Sequence, residues 1–248
     1  ASSRGDISIP GKQEELLSYL LKTGKPVVVL LTNGRPMAIP NLAKNAPVIL
    51  ETWFLGSQAG NAIADVLFGK YNPSGKLTMS FPYATGQVPI YYNHRNTGRP
   101  EKPNSSRWIS HYLDIPNEPV FPFGFGLSYT TFEYSDLKLD KTTMDRNGSI
   151  NISLSVKNTG KYDGEEVVQL YTRDLVASVV RPVKELKGFK KVMIKAGETA
   201  DITFTLSAKD LAFFTKDMSF KAEPGDFKVF VGTNSVDCKE AEFTLNLR

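Results

Sequence analysis

The sequence predicts an α/β segment followed by an all-β domain. Two observations carry this. The first half holds unbroken apolar runs, PVVVLLTNG and PVILETWF, set among amphipathic stretches; these are the patterns of buried parallel strands and surface helices. From about Tyr134 onward apolar and polar residues alternate with period two, as in strands with one wet face. Between the halves, from Tyr71 to about Asn117, Pro, Gly, Asn and Tyr dominate. A long irregular stretch of this kind is a functional loop or a linker.

Taken in order, KQEELLSYLLKTG places Leu16, Leu17, Leu20 and Leu21 on one helical face, with Gly24 as its stop. PVVVLLTNG and PVILETWF read as strands buried on both faces. SQAGNAIADVLFG reads as a second helix: Ser57 caps it, Ala59, Ala62, Ile63 and Val66 line one side, and Gly69 ends it. Helix, strand, strand, helix is too few elements for a doubly wound sheet of about five strands. This half therefore reads as the tail of a larger α/β domain. SINISLSVKN, EEVVQLYTR, KELKGFKKVMI, TADITFTLS, DFKVFVGT and EAEFTLNL follow. Turns such as Asn147-Gly148, Thr159-Gly160, Ala196-Gly197 and Pro224-Gly225 separate them. About seven short strands at this spacing predict a β-sandwich of the immunoglobulin or fibronectin type III kind. The lack of a cysteine pair favours the fibronectin-like version. The expected division is residues 1–133 and 134–248.

Composition narrows the function classes. With 41% hydrophobic and 23% charged residues, the chain reads as globular and soluble. The net charge is only +4. Lys184, Lys187, Lys190 and Lys191 alternate with apolar positions and read as the wet face of a strand, so no nucleic-acid partner is expected. No apolar run approaches the roughly 20 residues of a membrane span, so no membrane partner is expected either. Cys238 is the one cysteine and reads as a bystander thiol, since nothing near it in sequence would activate it. His94 and His111 lie in no metal-ligand spacing, and neither a nucleophile elbow nor a phosphate-binding glycine loop is present. No metal or cofactor is expected. Arg4-Gly5-Asp6 matches a cell-attachment tripeptide but reads as an exposed loop ahead of a helix.

Carboxylates are the remaining candidates for chemistry. Glu51 ends a predicted strand, where open α/β sheets place their ligands; Asp6, Asp114 and Glu118 are loop residues. Glycoside chemistry needs two carboxylates facing one bond, a pairing that sequence spacing does not reveal. For each of these alone, a structural hydrogen bond or a solvated charge is the commoner role. Tyr83, Tyr91, Tyr92, Trp108 and Tyr112 sit beside Asn, Arg and Asp. They suit stacking on sugars, and equally suit pinning a long loop to the body.

KPVVVLLTNGRPMAI, ETWFLGSQAGNAIADVLFGKYNPSGKLTMSFP, VPIYYNHRNTGRP and FPFGFGLSYTTF, followed by a fibronectin-like sandwich, resemble the C-terminal portion of family 3 glycoside hydrolases. The resemblance covers essentially the whole chain, in order, and is nearest to the bacterial periplasmic β-glucosidase branch. It implies a parent with three parts: an N-terminal (β/α)₈ barrel bearing an aspartate nucleophile, an α/β sandwich domain bearing a glutamate general acid/base, and a fibronectin type III-like domain. This chain would then be part of the α/β sandwich domain plus the last domain. In this branch the glutamate stands just ahead of an Ala-Ser-Ser-Arg-like segment, here Ala1-Ser2-Ser3-Arg4. The catalytic pair would thus lie outside the chain, leaving it inactive alone. Ser3, Arg4 and Asp6 would be substrate-binding or rim residues, with residues of the Tyr91–Tyr112 loop as further candidates. NPSGKL and FPFGFGLSYT receive structural roles: Pro73 and Gly75 turn the chain out of the second helix, and the aromatics and glycines of the second motif pack the α/β end against the sandwich. The implied partners are a carbohydrate substrate and the missing barrel and remainder of the α/β domain. The implied location is periplasmic or secreted. The exposed sheet edges of a partial domain imply self-association. The alternative is a non-catalytic carbohydrate-binding or domain-docking module.

Overall fold

The computed structural model describes residues 3–97, 99 and 108–246. The chain forms two compact units, one of Ala1–Tyr71, Thr78–Tyr91 and His111–Phe123, the other of Asn72–Leu77, Tyr92–Ser110 and Gly124–Arg248.

The first unit opens with helix α1 (Gln13–Leu21), whose first turn carries Glu14 and Glu15, the charge a helix N-terminus favours. Leu17 is its buried residue, while Leu16 and Leu20 are 58% and 44% exposed. Strand β1 (Val28–Leu31) is followed by a short helix α2 (Pro40–Asn45). The sequence pattern gives no sign of α2: at one and a half turns it shows no period. What starts it is Pro40, whose fixed φ suits a first helical position. Strand β2 (Val48–Glu51) pairs parallel with β1, in register from Val28↔Val48 to Leu31↔Glu51. These strands are not buried on both faces as expected. Val28, Leu30 and Val48 are each more than 40% exposed, because the sheet has only two strands among the described residues.

Helix α3 (Ala59–Leu67) ends at Phe68 and Gly69, where Gly69 takes φ +75. Ser57 does not cap it: Gln58 stands at the N-cap and its side chain makes no capping bond. The expected apolar side of α3 carries no fully buried residue, and Phe68 is 87% exposed. The unit's core is Ile7, Leu17, Leu31, Ile39, Leu42 and Phe81. Phe81 packs on Trp53 and Phe121, at ring-centroid distances of 5.9 and 6.2 Å.

The second unit is a β-sandwich. Its short early strands are β3 (Phe132–Tyr134), β4 (Lys138–Leu139) and β5 (Thr143–Asp145). They are followed by β6 (Ser149–Asn158), β7 (Gly164–Asp174), β8 (Glu185–Ile194) and β9 (Thr199–Ser207). A two-residue ribbon, β10 (Phe213–Phe214) with β11 (Phe220–Lys221), precedes β12 (Gly225–Gly232) and β13 (Cys238–Asn246). One sheet runs β5-β13-β12-β7-β8; the other runs β3-β6-β4, with β9 also pairing β6. Alternate residues of β6 and β7, among them Ile150, Ile152, Leu154, Val156, Val168 and Leu170, point into one core with Phe227, Val229, Phe243 and Leu245. Full burial of a side chain of this kind stabilises by about 1.5–3 kcal/mol, so the alternation is the sandwich's main source of stability.

NPSGKL and the part of FPFGFGLSYT from Gly124 onward lie in this second unit and meet there, while Phe121–Phe123 belong to the first. Asn72 Oδ1 accepts from Ser128 Oγ and Tyr129 N, each at 2.8 Å. Lys76 Nζ donates to Gly126 O at 3.0 Å. A Cβ on Gly126 would stand 2.3 Å from Gly75 O. The close approach thus requires glycine at Gly126, whereas a Cβ on Gly75 would meet open space.

The lysine reading needs one correction. Lys190 and Lys191 are exposed on β8, but the Lys187 side chain is only 17% exposed and Lys184 is half-buried. Its ammonium lies 4.2 Å from the Phe230 ring centroid and donates to Ser235 O at 2.7 Å.

Candidate functional site

The carboxyl ends of β1 and β2 lie side by side, so the residues that follow them become neighbours. Thr52 N and Oγ1 both donate to Leu31 O, at 2.9 and 2.7 Å, and the Thr32 and Thr52 hydroxyls are 3.0 Å apart. These bonds lock the two strand ends together. Just beyond, Asn33 Nδ2 donates to Arg35 O at 2.9 Å and folds the loop after β1.

Glu51 closes β2. Its Oε1 accepts the Trp53 N–H at 2.9 Å, and Trp53 has φ 49, uncommon for a bulky residue. Burial raises the Glu51 carboxyl above its ordinary pKa, while the Trp53 N–H and the Asn33 side chain hold it down. Glu51 Oε2 and Asn33 Oδ1 are both buried and have no hydrogen-bond partner among the described residues. A bare buried acceptor costs about 1–3 kcal/mol, so this corner has unused bonding capacity.

The N-terminal segment runs against the same loop. The Arg35 guanidinium donates to Arg4 O. Ala38 N donates to Ile7 O at 3.0 Å, and Ser8 bridges Ala38 in parallel. Ile7 is buried, whereas Ser3, Arg4 and Asp6 are exposed. Asp6 Oδ1 accepts the Ser8 N–H at 2.9 Å. The Ser8 N–H and hydroxyl, with a smaller contribution from the Arg4 charge, hold the Asp6 carboxyl below its ordinary value. The structure therefore places Ser3, Arg4 and Asp6 on an exposed strip beside the loop that follows β1. Ala1 and Ser2 lie outside the described residues.

Asn33 and Arg35 did not stand out in the sequence, where TNGRP reads as a strand-ending turn. The signal was the pairing itself: once PVVVLL and PVILE are parallel neighbours, Asn33 and Glu51 close the same end.

The other candidates fall elsewhere. Asp114 and Glu118 are exposed. Tyr112 donates to Gly86 O at 3.4 Å within the first unit. Tyr92 belongs to the second unit, where its ring meets Tyr171 at 5.7 Å and its hydroxyl accepts Leu186 N at 3.3 Å. It pins the chain, as the structural reading of that loop foresaw. Part of the loop, residues 98 and 100–107, lies outside the described residues. Cys238 Sγ donates to Asn234 O at 2.9 Å, and burial pushes its thiol up to about 11, the state of an inert thiol. No group of acidic, His or Cys residues suited to a metal occurs among the described residues. The second unit holds a cavity of about 510 Å³ walled by Arg95, Arg181, Glu185 and three phenylalanines; of the Tyr91–Tyr112 loop, Arg95 lines it.

Comparison with known proteins bears on this corner. A family model described as the glycosyl hydrolase family 3 C-terminal domain matches residues 1–129, and a fibronectin type III-like model matches residues 166–235. The chain is 51% identical over 248 residues to a periplasmic beta-glucosidase of Salmonella typhimurium, covering 99% of this chain and 32% of that protein. It is 49% identical to a beta-xylosidase of Formosa agariphila, covering 94% of this chain and 31% of the relative. Among solved structures, a beta-glucosidase from Listeria innocua in complex with glucose superposes with a TM-score of 0.91 at 45% identity, covering 97% of this chain and 34% of that one. The chain thus spans about a third of the length of the relatives it matches.

Proposed function

Because the chain belongs to glycoside hydrolase family 3, we propose that it serves as the C-terminal portion of a retaining exo-β-glycosidase, releasing terminal non-reducing β-D-glucosyl residues from oligosaccharides or glucosides. The observation that carries this is the 51% identity to a periplasmic beta-glucosidase sustained over the whole chain. On this reading residues 1–133 complete the α/β sandwich domain and residues 134–248 form the fibronectin type III-like domain. The protein acts in the periplasm or outside the cell.

The chemistry is a double displacement. An aspartate of the barrel attacks the anomeric carbon while a glutamate, immediately ahead of Ala1, protonates the departing oxygen. The same glutamate, now a carboxylate, takes a proton from water as it hydrolyses the glycosyl-enzyme. Neither residue belongs to residues 1–248. This chain supplies the rim: Ser3, Arg4 and Asp6 form an exposed polar strip able to meet sugar hydroxyls.

Hydrolysis of a chromogenic β-glucoside, with the β-xyloside alongside it, tests the reading. The full-length protein is expected to turn over the glucoside in preference, and residues 1–248 alone to be inactive. Turnover by residues 1–248 would move the chemistry onto carboxylates within this chain. Binding of sugar by an inactive full-length protein would favour the non-catalytic module.

A further inference from the structure

We propose that Glu51, Asn33 and Arg35 are positioning residues, which fix the Ser3–Ile7 segment and through it the general acid/base. The proposal rests on the function assigned above. Its physical basis is a set of polar ties around the ends of β1 and β2 and the loop that follows β1. The Thr32 and Thr52 hydroxyls tie the strand ends 3.0 Å apart. Glu51 is the register partner of Leu31, two residues before Asn33, Asn33 Nδ2 holds Arg35 O at 2.9 Å, and the Arg35 guanidinium holds Arg4 O.

The last contact is to a main-chain carbonyl. It therefore fixes the path of the backbone whatever side chain residue 4 carries. The other end of the segment is pinned by Ala38 N donating to Ile7 O at 3.0 Å and by the Ser8–Ala38 bridge. One loop, the one that follows β1, thus grips the segment at both ends. A residue just ahead of Ala1 is separated from Arg4 by no more than about 14 Å of chain. A misplacement of about 1 Å in a catalytic group is enough to cost roughly a hundredfold in rate. Glu51 Oε2 and Asn33 Oδ1 remain bare, so the pair retains capacity to bind further donors.

The test is the leaving-group dependence of kcat/KM in the full-length protein. A dinitrophenyl β-glucoside departs without protonation, whereas a β-linked disaccharide needs the acid. Arg35→Met is expected to lower kcat/KM on the disaccharide about 10- to 100-fold, a part of the roughly 10²–10⁴ that general acid catalysis supplies. On the dinitrophenyl glucoside the loss should stay within about threefold, since no proton transfer is at stake. Arg35→Lys, which keeps a cationic donor, should recover most of the disaccharide activity, and Glu51→Gln should show the same split as Arg35→Met. Arg35 is exposed, so its replacement leaves the fold intact, which a melting curve verifies. Equal losses on both substrates, or none on either, would overturn the positioning role. Inactivity of the unmodified protein on both substrates would instead overturn the functional reading on which it rests.

Discussion

Asp174 shows how far one buried carboxyl bends to its surroundings. It ends β7, it is 9% exposed, and neither of its oxygens has a hydrogen-bond partner among the described residues. Burial pushes its pKa from 3.8 to about 6, against the opposing pull of the Arg181 charge. A carboxyl whose folded pKa lies above its unfolded value binds more protons folded than unfolded. Its presence therefore subtracts stability as the pH rises from about 4 to about 6, and the full penalty holds above that. At about 1.4 kcal/mol per pKa unit, the penalty is on the order of 2–3 kcal/mol. Asp174→Asn should therefore melt at higher temperature than the parent chain at pH 8, and at the same temperature near pH 4. Thermal denaturation at the two pH values checks this; a variant that melts lower at pH 8 would mean that the Arg181 attraction outweighs desolvation.

Between elements, a well-buried ion pair in the sandwich unit joins the NPSGKL segment to β7. Lys76 Nζ lies 3.3 Å from both Glu166 oxygens, with side-chain exposures of 11% and 4%, and Tyr134 OH donates to the same carboxylate at 2.9 Å. Burial and the neighbouring Glu166 charge raise the Tyr134 hydroxyl well above its ordinary pKa. Removing one partner of a buried pair strands the other, at a cost of about 3–5 kcal/mol. Lys76→Met should therefore destabilise this unit by roughly that amount. Lys228→Met, which breaks the more exposed pairs with Glu240 and Glu242 at 3.1 Å, should cost less than about 1 kcal/mol. Urea denaturation of both variants decides it, and equal effects would remove the distinction. This tie was not legible in the sequence, since Lys76 and Glu166 lie far apart along the chain. What was legible was whatever repeats locally: the alternating segments became β6, β7, β8, β9, β12 and β13, because period two forces one face inward. Short elements such as α2 and the β10–β11 ribbon have too few residues to show a period. Lys184 was misread for a related reason. Alternation says which face a lysine is on, but it does not say that aromatic rings lie above that face. The polar corner at Asn33, Arg35 and Glu51 needed the strand pairing first, since no linear spacing joins those residues.

For the molecule as a whole, the first unit exposes many apolar side chains around a small core. Leu16, Leu20, Val28, Leu30, Val48, Phe54 and Phe68 are all exposed, Phe54 by 76% and Phe68 by 87%. A two-stranded parallel sheet leaves an unpaired edge on each strand, and parallel sheets are ordinarily covered on both faces. The chain covers about a third of its relatives, and the reading as part of a longer enzyme gives these surfaces a natural neighbour in the rest of the α/β domain. Expressed as residues 1–248 alone, the same surfaces have only other copies to pack against. Each apolar side chain moved out of water gains about 25 cal/mol per Å², so even a modest contact between two such faces is favourable at high concentration. Residues 1–248 are therefore expected to self-associate, with a weight-average mass that rises with concentration in sedimentation velocity. Val28→Lys and Leu30→Lys, which place charges on the exposed strand, should shift the chain toward monomer. On that reading the remainder of the domain covers these positions, and the full-length protein should show no such dependence. A residues 1–248 sample that stays monomeric at high concentration would mean that the exposed sheet is tolerated in water, and that its apolar side chains do not drive assembly.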